Sequence, residues 1–357
     1  MKKNILPIIF IIYSFISYGI MAQDLIPFAF NGLYGYVDDK LNVIIPPKYD
    51  RAGYFSDDGY AVVRYPGTQS EVINKCGETL LRVRTGIIYN VCEDLFSYQS
   101  NEYGSIIIRL SDNKIIANGT GINGPVYGNG YILATFTDDD RYRFLDHNGN
   151  RVLAHLQMKR PSYSFFEQRA VITKSDWSTV IIDMGGNTVG NLDIYRIGQK
   201  YSEGLIPVQI SDGTTGYVNL SGEFAFKIPF IVSDVPEATD FQNGYALIKI
   251  QQNPSLWKII NREGQTISGN LQIRTAEKFS NSLSLISVNN AGTVKYSYVN
   301  TKGEFIVTPL LDNADTFENG YARIIYNGRD GLINILGKIF WSDDIINKNP
   351  TGYIINY

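Results

Sequence analysis

The chain has 357 residues, more than one ordinary core requires, so two domains or one elongated repeat array are the expected organisations. Lys and Arg number 32 against 35 Asp and Glu, a formal charge of −3, and this near balance argues against a protein built to grip nucleic-acid phosphates or anionic lipid. With 44% hydrophobic and 19% charged residues the chain carries enough apolar material to fold, while two His and two Cys leave little for metal, redox or His-based catalytic chemistry. No catalytic residue, metal ligand or cofactor is therefore expected.

Residues 1–22 read as a secretory signal peptide. Lys2 and Lys3 precede an apolar stretch from Ile5 to Ile20, small residues Gly19 and Ala22 close it, and cleavage is expected between Ala22 and Gln23. An uncleaved anchor is the alternative, but the stretch falls short of the roughly 20 residues that span a bilayer, and Pro7, Ser14 and Ser17 interrupt it. No later run approaches a spanning helix, so the mature chain, 23–357, is expected to be periplasmic or extracellular, with no membrane insertion. Export permits a disulfide between Cys76 and Cys92, although two small buried thiols fit the same spacing.

Through the mature chain an apolar run enters Asp or Asn, usually followed three positions later by Gly. The copies are Asp38, Asn74 with Gly77, Asp146 with Gly149, Asp183 with Gly186, Asn219 with Gly222, Asn261 with Gly264, Asn300 with Gly303 and Asn334 with Gly337. A degenerate copy at Ser111 fills the remaining gap and brings the mean spacing to 37 residues. The physics of this tetrad is a hairpin: the Asp or Asn side chain accepts a hydrogen bond from the backbone two residues on, and Gly takes the left-handed conformation at the end of a type I turn with a bulge. Leu41 and Lys114 stand in two of the Gly seats, so those turns must be strained or rearranged.

A second box opens on an aromatic anchor, followed by a tight polar turn and a half-apolar strand. The anchors are Phe55, Phe165, Tyr201, Phe241, Phe279 and Phe317, with Tyr127 heading a looser copy. Pro marks where strands stop, as at Pro46-Pro47, Pro229 and Pro309, and Ala precedes the anchor at Ala52, Ala238, Ala276 and Ala314 in a short crossing. Each unit is expected to hold three strands, in the sixth unit roughly 216–218, 224–228 and 245–250. No helical periodicity of any length is present.

The run Tyr34-Gly35-Tyr36-Val37-Asp38, through Ile45-Pro46-Pro47 to Phe55 and Gly59-Tyr60-Ala61-Val62-Val63, resembles the WG repeat, a bacterial β-rich repeat named for a Trp-Gly pair. Tyr34-Gly35 stands where Trp-Gly would be, and Thr215-Gly216 and Asp330-Gly331 keep only the Gly. The resemblance covers most of residues 30–340 and is weakest at 85–135. It implies a tandem β-repeat protein with a binding or scaffolding role and carries over no catalytic residue. The expected fold is all-β: eight to nine three-stranded antiparallel meanders in a single elongated, twisted array, with residues 341–357 as a cap and a closed β-propeller as the alternative.

Asp138-Asp139-Asp140 lacks the ligand spacing of a Ca²⁺ loop and is expected at a solvated hairpin tip, and His147 and His155 have no second ligand at metal-binding spacing. No G-x-S-x-G elbow or phosphate loop is present. The aromatic load is more informative, with 25 Tyr and 18 Phe against 3 Trp. The anchors follow the period of the fold and are expected in the core. Tyr89, Tyr98, Tyr103, Tyr127, Tyr142, Tyr163 and Tyr195 lie at the edges of the repeats, and of these Tyr98, Tyr103 and Tyr127, in the degenerate stretch, are the expected binding surface. The expected function is an exported, non-enzymatic module offering its surface to a protein or cell-envelope partner; the alternative is a carbohydrate-binding or carbohydrate-active protein on a propeller-like fold.

Overall fold

The computed structural model describes residues 24–348 except 68–69, 84–85, 93, 101–103, 120–125, 137–140, 162–163, 199, 229–237, 253, 269–270 and 291. The signal-peptide segment, Asp138 to Asp140, Tyr103 and Tyr163, and the side chains of Cys92 and Tyr127, lie outside the described residues. Among those described, the protein is all-β apart from one short helix, Ser342–Ile346, which follows Trp341 in the expected cap. Each sheet is an open antiparallel meander in which strands adjacent in the chain are hydrogen-bonded.

The chain divides into two compact units after Gly124, inside the stretch where the repeat is weakest. The first unit contains a three-stranded sheet (Ile26–Phe30, Leu33–Val37, Val43–Tyr49) and two four-stranded sheets, Arg51–Ala52 to Thr79–Val83 and Ile87–Cys92 to Lys114–Gly119. The second begins with a four-stranded sheet, Val126–Gly128 to Arg151–Val152, and a seven-stranded one, Met158–Pro161 to Phe224–Ile228. Two three-stranded sheets (Tyr245–Gln251 to Leu271–Gln272; Thr275–Ala276 to Thr293–Asn300) and a four-stranded sheet, Asn313–Ala314 to Ile339–Trp341, complete it.

The frame of the sheets differs from the frame of the expected three-stranded unit. Tyr245–Gln251 does not join Thr215–Asn219 and Phe224–Ile228; it opens the next sheet by pairing with Leu256–Asn261. A typical sheet therefore runs from a short Ala strand, through the strand after the aromatic anchor and the strand entering Asp or Asn, to the strand after that turn. The Ala crossing is itself a strand, because Ala52, Ala276 and Ala314 pair with Val63, Ile286 and Ile324. Ala52 and Ala314 are buried there, where a larger side chain would not fit between consecutive sheets. The seven-stranded sheet arises where the Pro stop is missing: Thr188–Ile197 runs on for ten residues and closes one meander while opening the next.

Within each unit, cores are shared between consecutive sheets. Tyr36, Ile45 and Tyr49 of one sheet meet Phe55, Ala61 and Val63 of the next, and Leu205 and Tyr217 meet Phe241, Ala246 and Ile248 in the same way. The six anchors are all buried in such clusters. The aromatic two residues before the Asp or Asn packs on the next anchor, with ring centroids 4.9 Å apart for Tyr36–Phe55, 4.8 Å for Tyr217–Phe241, 4.6 Å for Tyr298–Phe317 and 5.1 Å for Phe144–Phe165. The tyrosine hydroxyls then donate to the carbonyls of Gly53 (2.8 Å), Thr239 (2.8 Å) and Asp315 (2.6 Å), each two residues before the anchor. Burial pushes the Tyr217 hydroxyl far above its ordinary range, so it stays a donor at every physiological pH.

The Asp/Asn turns supply a second link. In each, one side-chain oxygen accepts the N–H groups two and four residues on, as Asp146 does from Asn148 and Asn150, both at 2.8 Å. In six of these turns the fifth residue also complements the first, while Lys338 stands fifth in the Asn334 turn. Asp, which can only accept, faces an Asn amide at Asp38/Asn42 (2.9 Å), Asp146/Asn150 (2.9 Å) and Asp183/Asn187 (3.1 Å). Asn, which has an amide to donate, faces an acceptor at Asn74/Glu78 (2.7 Å), Asn261/Gln265 (3.0 Å) and Asn300/Glu304 (2.8 Å). Backbone N–H and then side-chain donation from Asn187 hold the Asp183 carboxyl below the usual range. That contribution is present above the unfolded value of about 4 and is lost as pH falls below it.

Of the two turns without Gly, one is strained and the other rearranged. Leu41 adopts φ +65° and still closes the turn onto Asp38, whereas in the other the left-handed seat moves back to Asn113 and Lys114 begins a strand. In four of the other turns the Gly is required twice over. Its φ is left-handed, and a Cβ on it would strike the preceding repeat: Ile45 at Gly77 (3.2 Å), His155 at Gly186 (2.8 Å), Ser268 at Gly303 (2.8 Å) and Ile306 at Gly337 (2.9 Å).

Two outcomes follow in thermal denaturation. Gly303→Ala should destabilise more than Gly320→Ala, since both carry about 1–2 kcal/mol of left-handed strain but only Gly303 adds overpacking of about 1–3 kcal/mol, Gly320 meeting nothing within 4 Å. Equal losses would show that the tip contact is soft. Asn300→Asp, which sets a carboxylate against Glu304, should cost about 0.5–1 kcal/mol at neutral pH, and adding Glu304→Asn should recover it by recreating the Asp146/Asn150 pair. A double variant no more stable than Asn300→Asp alone would break the pairing rule.

Candidate functional site

Of the three tyrosines singled out in the degenerate stretch, Tyr103 and the side chain of Tyr127 lie outside the described residues. Tyr98 is only 6% exposed and packs with Ile88, Phe96 and Ile106, so it is a core residue and not a binding surface. Its strand, Leu95–Ser100, is central in its sheet and covered on the face that Tyr98 occupies, a burial hidden by the loss of repeat spacing there. Tyr89 and Tyr195 are exposed, and Tyr142 is half-buried.

The other candidates keep to the roles their turns dictate. Cys76 is an exposed free thiol at the tip of the Asn74 turn. Asp57 and Asp58 lie exposed in the turn after Phe55, His147 sits half-buried in the Asp146 turn, and His155 is exposed beside Gly186. Among the described residues no group of three or more His, Cys, Asp or Glu is placed to hold a metal ion.

In the second unit the tight turns after the anchors form a ladder. Asn129, Glu167-Gln168, Glu203-Gly204 and Asn243-Gly244 occupy successive left-handed turn seats. Asn129 accepts from the N–H of Gln168 (2.8 Å), Glu167 from Gly204 (2.6 Å) and Glu203 from Gly244 (2.9 Å). Beside it lies a cavity of about 520 Å³ lined by Glu167, Arg169, Glu203, Leu220 and Arg262. Its two guanidinium groups donate to backbone carbonyls, Arg169 to Leu220 (2.8 Å) and Arg262 to Glu203 (2.8 Å). Charges held this way by neighbouring repeats serve cohesion first.

A further polar row precedes the anchors, where Lys200, Asp240 and Lys278 fall in successive repeats. Burial raises the Asp240 carboxyl and the two ammonium groups pull it back, while burial lowers Lys200, whose Nζ lies 4.6 Å from the centre of the Phe166 ring.

The feature that no packing role absorbs is at the hairpin tips of the seven-stranded sheet. Ser175-Asp176-Trp177-Ser178 forms the same turn as Ser211-Asp212-Gly213-Thr214 one repeat later: Trp177 N–H bonds to Lys174 O and Gly213 N–H to Ile210 O, and Asp176 and Asp212 accept from Ser178 (2.9 Å) and Thr214 (2.7 Å). Trp177 thus occupies a glycine seat at φ +69°, at a backbone cost of about 1–2 kcal/mol. Its ring is 62% exposed. Tyr195, 63% exposed, follows Ile194, which the register pairs with Thr179. Lys159 Nζ lies 3.9 Å over the Trp177 ring, and the Arg196 guanidinium carbon lies 5.2 Å from the centre of the Tyr195 ring. The 36-residue offset to Ser211-Asp212-Gly213-Thr214 carried this signal in the sequence, as a Trp standing where the parallel turn has Gly.

No curated protein matches the chain. Among solved structures it resembles the crystal structure of a eukaryotic initiation factor, with TM-score 0.63 and 10% identity over 90% of this chain and 96% of that one. It also resembles the computationally designed Ika8 protein, with TM-score 0.51 and 10% identity over 88% of this chain and all of that one. At such identities the likeness is one of fold alone. Gly35 and Gly216, the second residues of the pairs set against Trp-Gly, lie where the strand after the turn crosses so closely that a Cβ would run into the carbonyls of Ile45 and Phe226. Segments 34–65 and 296–329, one in each compact unit, match the family model of the WG containing repeat, consistent with a member of the WG-repeat family.

Proposed function

We propose that the protein is an exported, non-enzymatic binding or scaffold module that presents hairpin-tip surface to a partner in the cell envelope. The observation that carries this reading is Trp177, a bulky aromatic kept exposed in a left-handed seat that glycine fills in the parallel hairpin. Strain of this kind persists where an exposed group is used, and Trp, Tyr and Arg together are the side chains most often found at the centre of binding surfaces. The use of Glu167, Arg169, Glu203 and Arg262 in contacts between repeats supports the same reading, because it leaves these groups to structure. The charged, apolar and small-residue order of residues 1–22 supports export.

Fractionation of cells producing the full chain should recover it outside the cytoplasm with Gln23 as its first residue, and immobilised protein should retain envelope material saturably. Hydrolase turnover that disappears in Asp240→Asn or His147→Ala would overturn the reading in favour of an enzyme.

A further inference from the structure

We propose that the cavity lined by Glu167, Arg169, Glu203 and Arg262 binds a short zwitterionic peptide, its carboxylate on the guanidinium groups and its ammonium on the two carboxylates. The first ground is what the same seats hold in other repeats. Among the described residues, where the anchor is followed by the two-residue left-handed turn, its first seat holds Asn at Asn129, Asn243, Asn281 and Asn319, and Glu only at Glu167 and Glu203. Asn tolerates that backbone better than Glu, and Asn129 accepts the N–H of the adjacent repeat just as the two Glu do. Cohesion therefore asks for an acceptor in this seat, not for a charge. The residue after the turn is Tyr131, Leu205, Tyr245, Leu283 or Tyr321 in the other repeats, and Arg only at Arg169. Three charges that the repeat does not require thus meet Arg262 around one space of about 520 Å³, a size suited to a small ligand.

The second ground is that these charges do not neutralise one another. Among the described residues no ion pair joins either Glu to either Arg, and each group is held by backbone instead. Those bonds take the four groups only in part, and take none of them as acid or base. Of five N–H donors apiece, Arg169 uses two, on Leu220 O (2.8 Å) and Gln168 O (3.0 Å), and Arg262 uses one, on Glu203 O (2.8 Å). Each Glu accepts through Oε2 and keeps Oε1. The repeats hold the four groups in place in advance, which leaves little ordering for a ligand to impose.

The signs select the ligand class. A polyanion would face Glu167 and Glu203, a polycation would face Arg169 and Arg262, and an uncharged ligand would take water from four charges without offering one in return. A peptide with free ends brings one charge of each sign, and its carboxylate matches the planar fork of a guanidinium. None of these residues belongs to the Trp177 hairpin, so this site and the tip surface stand or fall separately.

Calorimetry on the full chain at low salt tests the site with the di-, tri- and tetrapeptides of alanine, beside inorganic phosphate. At least one peptide should bind saturably with a Kd below about 0.1 mM, and phosphate should not. Acetylating its N-terminus or amidating its C-terminus removes one sign, and either change should weaken binding about tenfold or more. Glu203→Gln keeps the acceptor for Gly244 and loses the charge, so it should weaken the free peptide about tenfold and leave the affinity of the acetylated peptide as it was. Arg262→Gln should spare only the amidated peptide. Both variants should keep the melting temperature within about 2 °C, and if Glu203→Gln does not fold, Glu203→Asn restores the residue usual in that seat. Trp177→Gly should change none of these affinities.

No saturable binding of any of the three peptides overturns the proposal, as do undiminished binding of the blocked peptides, phosphate binding as tightly as peptide, or a loss of affinity in Trp177→Gly. Equal weakening of the free and acetylated peptides by Glu203→Gln overturns it as well, because that is what a merely structural carboxylate would give. Envelope material retained by a protein that binds no peptide would sink this site and leave the binding role standing, whereas peptide binding without such retention would do the opposite.

Discussion

Within each compact unit a repeat completes the core of its neighbour, and the rest of the structure depends on this. A meander of three or four short strands has two faces and too few side chains to cover either, so it is stable only against the next sheet. The recurring contacts are located where that dependence is greatest. An aromatic two residues before the turn reaches the next anchor, its hydroxyl ties down the backbone leading to that anchor, and the turn glycine lies flat on the strand behind it. The ring contact contributes about 0.5–1.5 kcal/mol and the hydroxyl bond about as much, small amounts made decisive by repetition.

The same geometry explains which positions of the repeat tolerate change. The glycine of the Trp-Gly pair persists at Gly35 and Gly216 because a neighbouring carbonyl occupies the space of a Cβ. At the equivalent position of another repeat stands Glu71, fully buried, and its carboxylate is met by Arg82 at 2.5 Å and Thr79 at 2.6 Å. A buried charge is tolerable only with such partners. The first residue of the pair has no comparable constraint, since Tyr34, Thr215 and Asp330 all serve there.

Polar side chains divide along the same line. Those in the Asp/Asn turns and in the ladder of tight turns are spent on backbone N–H groups of their own or the adjacent repeat, so their regularity is structural. Trp177 departs from that economy. It breaks a local conformational rule and is not repaid by burial, and such a departure at an exposed tip is where function is to be sought.

Local chemistry made the period, the turns and the anchors legible, because a left-handed Gly after Asp or Asn and an aromatic before a tight turn act within a few residues of themselves. The sequence alone therefore determined an all-β tandem repeat, the hairpin positions and the burial of Phe55, Phe165, Tyr201, Phe241, Phe279 and Phe317. Only the tertiary structure decided which strands share a sheet, since hydrogen bonding between strands depends on what lies alongside rather than on what comes next. That is why the Ala crossings proved to be strands, why Thr188–Ile197 joins two meanders, and why Tyr98 is in the core while Trp177 stands in solvent. Exposure is a property of neighbours, and a chain read residue by residue does not name them.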